Sequence, residues 1–193
     1  MNILFIDLET TGTEADKHTA IEIACRLDVH GKTISRFHRK FFNPDKIAIN
    51  LGALRVNKVP LKELINIGMS PEGKEDLVVV DLVDYLLGIK VNGPLVVSGQ
   101  NVQFDINFLK SLLAKYKVEG LDQVIGYKYL DTFSLAMGLI EAGKLITKDN
   151  KTNLSALAEG LGISLVGRNL HTADADVDLA AEVYYGLIKR IRG

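Results

Sequence analysis

The chain has 193 residues, with 24 acidic and 23 basic side chains and a formal net charge of −1. That length suits one α/β domain, 1–193, with a sizeable core, and the near-neutral balance excludes a strongly basic nucleic-acid clamp, so any nucleic-acid binding is local and only modestly salt-sensitive. The single cysteine excludes a disulfide framework and fits a reducing cytoplasm, while an N-terminal apolar run that stops at Asp7 excludes a signal peptide or a membrane span.

The run Asn2-Ile3-Leu4-Phe5-Ile6 is short, apolar and rich in β-formers, so it predicts a buried central strand near 2–8. Strands near 20–29 and 33–42 follow, joined by a turn at His30-Gly31-Lys32. Cys25 in the first of them reads as a small buried hydrophobe, and Arg36, His38, Arg39 and Lys40 in the second read as charges guarding a sheet edge. Helical segments are predicted near 50–56 and 60–66, then a longer one near 72–88 started by Ser70-Pro71-Glu72. Pro94-Leu95-Val96-Val97-Ser98-Gly99 predicts a second short buried strand. Asn101 then caps a helix reaching to about Tyr116, with Phe104, Phe108, Leu109, Leu112 and Leu113 on its apolar side. A strand near 127–131 carries Tyr127 and Tyr129, read as core in preference to a base-stacking platform. Lys144 to Lys151 reads as a flexible solvated basic loop, and the last helix, 173–192, ends in Lys189, Arg190 and Arg192, where cations suit the dipole. The pattern is that of an α/β domain with a central mixed five-stranded sheet flanked by helices, without internal repeats or linkers.

Three acidic clusters carry the chemistry. Side chains alternate along a strand, so Asp7 and Glu9 share one face at the C-terminal end of the first strand. Two carboxylates in one small volume repel unless protonated or bridged by cations, and such hard oxygen donors suit Mg²⁺ or Mn²⁺. Thr10-Thr11-Gly12 after them supplies a turn whose backbone can approach a ligand closely. Asp105 falls on the apolar side of its helix, in line with Leu109 and Leu112, where a carboxylate needs a partner. In the last helix Asp176 aligns with Leu179, Ala180 and Val183 and points inward, whereas Asp174, Asp178 and Glu182 form a polar stripe read as a solvated face. His171 lies five residues before Asp176, suitably placed for a general base.

These residues carry a family resemblance. Asp7, Glu9, Thr10 and Gly12 match Asp-x-Glu-Thr-x-Gly; Asn101, Phe104 and Asp105 match Asn-x-x-Phe-Asp; His171, Ala173 and Asp176 match His-x-Ala-x-x-Asp. In this order the three motifs resemble the DnaQ-like 3′→5′ exonucleases of the DEDDh class, in the ribonuclease H-like superfamily. Softer echoes at Ile21-Glu22-Ile23-Ala24, at 131–136 and at 153–158 extend the likeness along most of the chain, and Gln100 departs from the His that many members have there. The resemblance implies a ribonuclease H-like fold and a site with two divalent ions, Mg²⁺ or Mn²⁺. Asp7 would bridge them, Glu9 and Asp176 would complete the first, Asp105 would hold the second partly through water, and His171 would take a proton from the attacking water. It further implies that Thr10, Thr11 and Gly12, with Asn101 and Phe104, bind the substrate's terminal nucleotide and its 3′-OH.

The resemblance implies a partner nucleic acid with a free 3′ end, single-stranded, and no membrane; a homodimer and a polymerase partner stay open. DNA exonucleases and RNA-trimming relatives of the oligoribonuclease or ribonuclease T type share the same catalytic set. Thr10 stands where oligoribonucleases typically carry Met, which tilts the reading to DNA, and the chain's close at the last helix tilts it toward free-standing action. A catalytically dead binding module would have lost a metal ligand, whereas all four acids and the His are retained here. A ribonuclease H-type endonuclease gives no reason for the Thr10-Thr11-Gly12 turn or for His171.

Overall fold

The apolar N-terminal run forms the middle of the sheet. In a computed structural model, which describes residues 1–43, 48–125 and 128–193 and, for 122–123, the backbone alone, β1 (Asn2–Thr10) pairs antiparallel with β2 (Ala20–Val29), which pairs antiparallel with β3 (Lys32–Lys40). On its other side β1 pairs parallel with β4 (Leu95–Gly99), which pairs parallel with β5 (Tyr129–Asp131), giving the order β3-β2-β1-β4-β5. This is the expected mixed five-stranded sheet. His30 and Gly31 both take left-handed backbone (φ 50° and 79°), as a two-residue hairpin turn demands, and Gly31 does so without steric cost.

The helices are α1 (Leu51–Val56), α2 (Leu61–Met69), α3 (Glu75–Leu87), α4 (Gln103–Lys115), α5 (Asp122–Ile125), α6 (Thr132–Glu141), α7 (Leu154–Gly160) and α8 (Ala173–Arg192). Alternation along β1 sorts them into two layers. The even residues Leu4, Ile6 and Leu8 pack with Val78, Val79, Leu82 and Leu86 of α3 and Ile106, Leu109 and Leu112 of α4. The odd residues Ile3 and Phe5 pack with Ala173, Val177, Ala181 and Tyr184 of α8, and the far side of α8 packs on α6 and α7. Phe5 meets Tyr184 and Tyr185 edge-on at 5.6 and 6.0 Å between centroids. No helix among the described residues is long and apolar enough to cross a membrane.

Several sequence expectations are corrected here. The helix expected over 72–88 is split: Ser70 caps a one-turn 3₁₀ segment, Pro71–Gly73, and α3 starts only after Lys74, whose ψ of 123° is extended. Gly73 presses on the Ile67 carbonyl so closely that a Cβ would sit 1.9 Å from it, which fixes the break at that place. The stripe on α8 is ion-paired instead of merely solvated. Asp178 accepts from Arg26 (3.0 Å) and Arg36 (2.5 Å), Asp174 from Arg36 (2.9 Å), and Glu182 from Arg168 (2.7 Å). Arg26 also holds the fully buried Asp28 in a fork of 2.9 and 3.0 Å, and Tyr185 donates to the same carboxylate (2.9 Å). The β3 charges do lie on an edge strand, as expected, but each is paired: His38 and Lys40 with Glu22, Arg39 with Asp81. The loop over 144–151 is tacked down by buried Leu145 and Thr147, Cys25 is buried as read, and Tyr129 is exposed instead of core. Tyr127 lies outside the described residues.

Candidate active site

The two-layer arrangement brings acids to the end of β1 from both sides. Asp7 and Glu9 continue the odd face of β1, toward α8, and α8 delivers Asp176 to them. One carboxylate oxygen from each of the three lies within 4.8 Å of the others. Asp105 arrives on α4 from the opposite layer, is 4% exposed, and accepts the Leu8 N–H at 2.9 Å, so it grips the strand between the two β1 acids. The β1–β2 ladder slips between Glu9 and Thr10, leaving Ile21 as the extra residue on β2; bulges of this kind re-aim side chains beside functional sites.

Burial and mutual repulsion dominate the electrostatics. Burial first, then the charges of Asp105, Asp176, Glu9 and Glu22, holds the Asp7 carboxyl well above the usual carboxylate range. Glu9 is pushed up to about 8 by burial and by Asp176 and Glu22, with Lys40 acting against them. Asp105 is raised by burial against the Leu8 N–H bond that opposes it. Asp176 is raised by burial against the His171 N–H and the His171 charge. Among the described residues Asp7, Glu9, Asp105 and Asp176 have no salt bridge. Uncompensated carboxylates of this density, with hard oxygen donors in reach of one another, fit divalent cations.

Sequence reasoning passed over one further acid, Glu22, as a site member. It stands opposite Glu9 in the β1–β2 register, is 2% exposed, and is held by His38 Nε2 (2.8 Å) and Lys40 Nζ (3.7 Å). The signal was present in the sequence: a Glu inside an otherwise apolar strand has to be paired when buried.

The second cluster is placed differently from the expectation. Asn101 does not cap α4; it takes left-handed backbone (φ 55°), is exposed, and Val102 stands at the N-cap without a side-chain bond. Asp131, at the end of β5, supplies the missing acceptor, taking the N–H of Asn101 (2.7 Å) and of Val102 (3.4 Å). The same carboxylate caps its own helix through the N–H groups of Phe133 (3.4 Å) and Ser134 (3.2 Å). Asp131→Ala strips both helix starts, and by the usual worth of a cap it lowers the melting temperature by about 2–8 °C, measurable by differential scanning fluorimetry, with Asp131→Asn recovering part of the loss. Gln100, where the family resemblance leads one to look for His, bonds the Thr152 carbonyl (2.8 Å) and accepts from Thr132 (2.5 Å), tying α4's start to the 153–158 segment.

The remaining expected residues sit at the rim. His171 is exposed with φ 67°, and its backbone N–H donates to Asp176 Oδ2 at 3.2 Å. Thr10 and Thr11 are buried: Thr10 donates to the Gly12 carbonyl (2.6 Å) and Thr11 Oγ1 accepts the Thr19 N–H (3.0 Å). A Cβ on Gly12 would lie 2.2 Å from the His18 ring, so any side chain there displaces that ring. Phe104 is half-buried and packs on Phe108 at 4.8 Å.

No family model matches the chain. It is 26% identical over 201 residues to ribonuclease T of Buchnera aphidicola subsp. Schizaphis graminum, spanning 97% of this chain and 83% of that protein. It is 25% identical over 186 residues to the DNA polymerase III subunit epsilon of Haemophilus influenzae, spanning 94% of this chain and 65% of that one. Its fold is that of exonuclease I from Methylocaldum szegediense (TM-score 0.76, 16% identity, 97% of this chain, 40% of that one). The E. coli exonuclease I bound to a dA16 oligonucleotide is similar (TM-score 0.75, 17% identity, 97% and 40%). The chain thus covers less than two thirds of the epsilon subunit and well under half of either exonuclease I chain. Acids from three motifs converge on the end of one strand in a ribonuclease H-like fold, and the relatives align over nearly the whole chain: the protein is similar, in fold and in sequence, to the DnaQ-like DEDDh exonucleases.

Proposed function

We propose that the protein is a two-metal 3′→5′ exonuclease that hydrolyses phosphodiester bonds from the free 3′ end of single-stranded DNA and releases nucleoside 5′-monophosphates. The observation that carries the reading is the convergence of Asp7, Glu9 and Asp176, with oxygens within 4.8 Å of one another and no salt bridge among the described residues. Two divalent ions, Mg²⁺ or Mn²⁺, held by these three with Asp105 would supply Lewis-acid polarisation of the phosphoryl oxygen and lower the pKa of the attacking water. Asp105 fixes the ends of β1 and α4 relative to each other through the Leu8 N–H. His171, exposed beside Asp176, takes the proton of the attacking water at a ring nitrogen. Thr10, Thr11 and Gly12, rigid because their polar groups are bonded within the turn, bind the terminal nucleotide and its 3′-OH, with Asn101 and Phe104 alongside. All the carboxylates come from one chain of 193 residues, read as a single exonuclease domain, so neither a second copy nor a polymerase is needed to complete the site. The composition suits a cytoplasmic enzyme.

RNA is the second reading, and the ribonuclease T relative favours it. Thr10 after the motif's Glu and the dA16 complex of the structural neighbour favour DNA. The test is degradation of 5′-labelled single-stranded DNA and RNA of one sequence with Mg²⁺, against Asp7→Ala. A one-nucleotide ladder from the 3′ end of DNA, missing in the variant, is the expected result. A preference for RNA keeps the mechanism and changes the substrate, whereas no variant-sensitive cleavage of either leaves a binding module.

A further inference from the structure

The site is crowded with carboxyl groups, yet among the described residues Lys58 is held at its edge without an acidic partner. Lys58 follows α1 in left-handed backbone (φ 55°), and its Nζ donates to the Leu170 carbonyl (3.2 Å), immediately before His171. Its neighbour Asn57 is 7% exposed and donates to the Thr10 carbonyl (2.9 Å), which pins this turn to the end of β1. The side chain therefore reaches from the first motif to the third, and its charge acts on the Asp176 carboxyl. Lys58 is exposed, and among the described residues it forms no ion pair, in contrast to Lys17, Lys40, Lys115 and Lys151. It also lines an open, mainly apolar groove of about 400 Å³ together with Leu51, Leu54, Arg55 and Val59.

A strained backbone that holds a cation against a neutral carbonyl, at the mouth of an acidic site, keeps that charge for an anion from outside. We infer that Lys58 binds a backbone phosphate of the nucleic-acid strand entering the site, releasing the Leu170 carbonyl or sharing its protons between carbonyl and phosphate. This deepens the exonuclease reading and rests on it for the kind of strand involved.

The test reads binding, so that it survives a failure of catalysis. A short 5′-fluorescein oligothymidylate with phosphorothioate linkages at its 3′ end is titrated by fluorescence anisotropy with Mg²⁺ over a range of KCl, using wild type, Lys58→Gln and Lys58→Arg. Glutamine can still donate to the Leu170 carbonyl but carries no charge. The expected result is about tenfold weaker binding for Lys58→Gln, a slope of log K against log salt shallower by about 0.7, and a wild-type slope for Lys58→Arg. Equal slopes in wild type and Lys58→Gln, whether or not the affinity falls, would reduce Lys58 to a strap between two loops and overturn the inference. Absence of cleavage by the wild type would count against the exonuclease reading alone, since the slopes are read from binding.

Discussion

Asp7→Asn lowers kcat for 3′-terminal nucleotide release by at least about a thousandfold and, at pH 8 without metal, raises the melting temperature. The two effects have one cause. Burial first, and then the charges of Asp105, Asp176, Glu9 and Glu22, hold the proton of Asp7 on. In the unfolded chain at pH 8 the Asp7 side chain is ionised, so folding must either protonate it or bury its charge; an amide of the same shape needs neither, which is worth about 1–2 kcal/mol, or about 2–8 °C in a chain of this size. The same change removes the oxygen that both Glu9 and Asp176 approach within 4.8 Å, so cation binding fails with it. Steady-state kinetics and a thermal melt in EDTA check both halves. A variant as active as wild type, or one that melts lower than wild type in EDTA, contradicts this account of the site.

Mg²⁺ stabilises the protein strongly at pH 8 and hardly at all at pH 5. Burial and the charges of Asp176 and Glu22 push the Glu9 carboxyl up to about 8 in the folded chain, against its ordinary 4.5, so between those limits the folded state holds a proton that the unfolded chain has lost. Stability falls with rising pH wherever the folded state binds more protons, and the raised carboxyls of Asp7, Asp105 and Asp176 act in the same direction. In EDTA the melting temperature therefore declines from pH 5 to pH 8, with Glu9 alone contributing about 2–3 kcal/mol after allowance for its partial solvation. Divalent ions need the carboxylates ionised, so their binding strengthens over the same window and reverses the decline. The difference between Mg²⁺ and EDTA melts grows by about 5–10 °C between the two pH values. A metal effect independent of pH would mean that the ions bind elsewhere.

How much of this was legible in the sequence depends on range. Alternation along β1 was enough to place Asp7 and Glu9 on one face, and helical periodicity was enough to turn Asp105 and Asp176 inward, because both are local rules. The mixed five-stranded sheet and its β2–β3 hairpin followed from the strand runs, the turn and the family likeness, whereas the remaining pairings became visible only in the fold. What was missed is tertiary. Asp178 finds Arg26 and Arg36 across 152 and 142 residues, and nothing near Asp178 announces them. Asn101 looks like a cap by composition, but Asp131, 30 residues on, takes that role and leaves Asn101 in left-handed backbone, a conformation Asn tolerates better than most residues. Glu22 could be read as part of a motif echo, while its place opposite Glu9 depended on the strand register and its bulge.

The acids are delivered by elements far apart along the chain, and that separation has a consequence for how the site assembles. β1 and α4 carry Asp7, Glu9 and Asp105, but Asp176 and His171 come with α8, the last element of the sequence. Until α8 docks, the chain has the repelling carboxylates without the partner that closes the cluster, and without the arginine pairs that hold α8 on β2 and β3. The cluster and the fastening of α8 are therefore one event: the carboxylates of β1 and α4 meet Asp176 only as Asp174 and Asp178 take their arginines on β2 and β3.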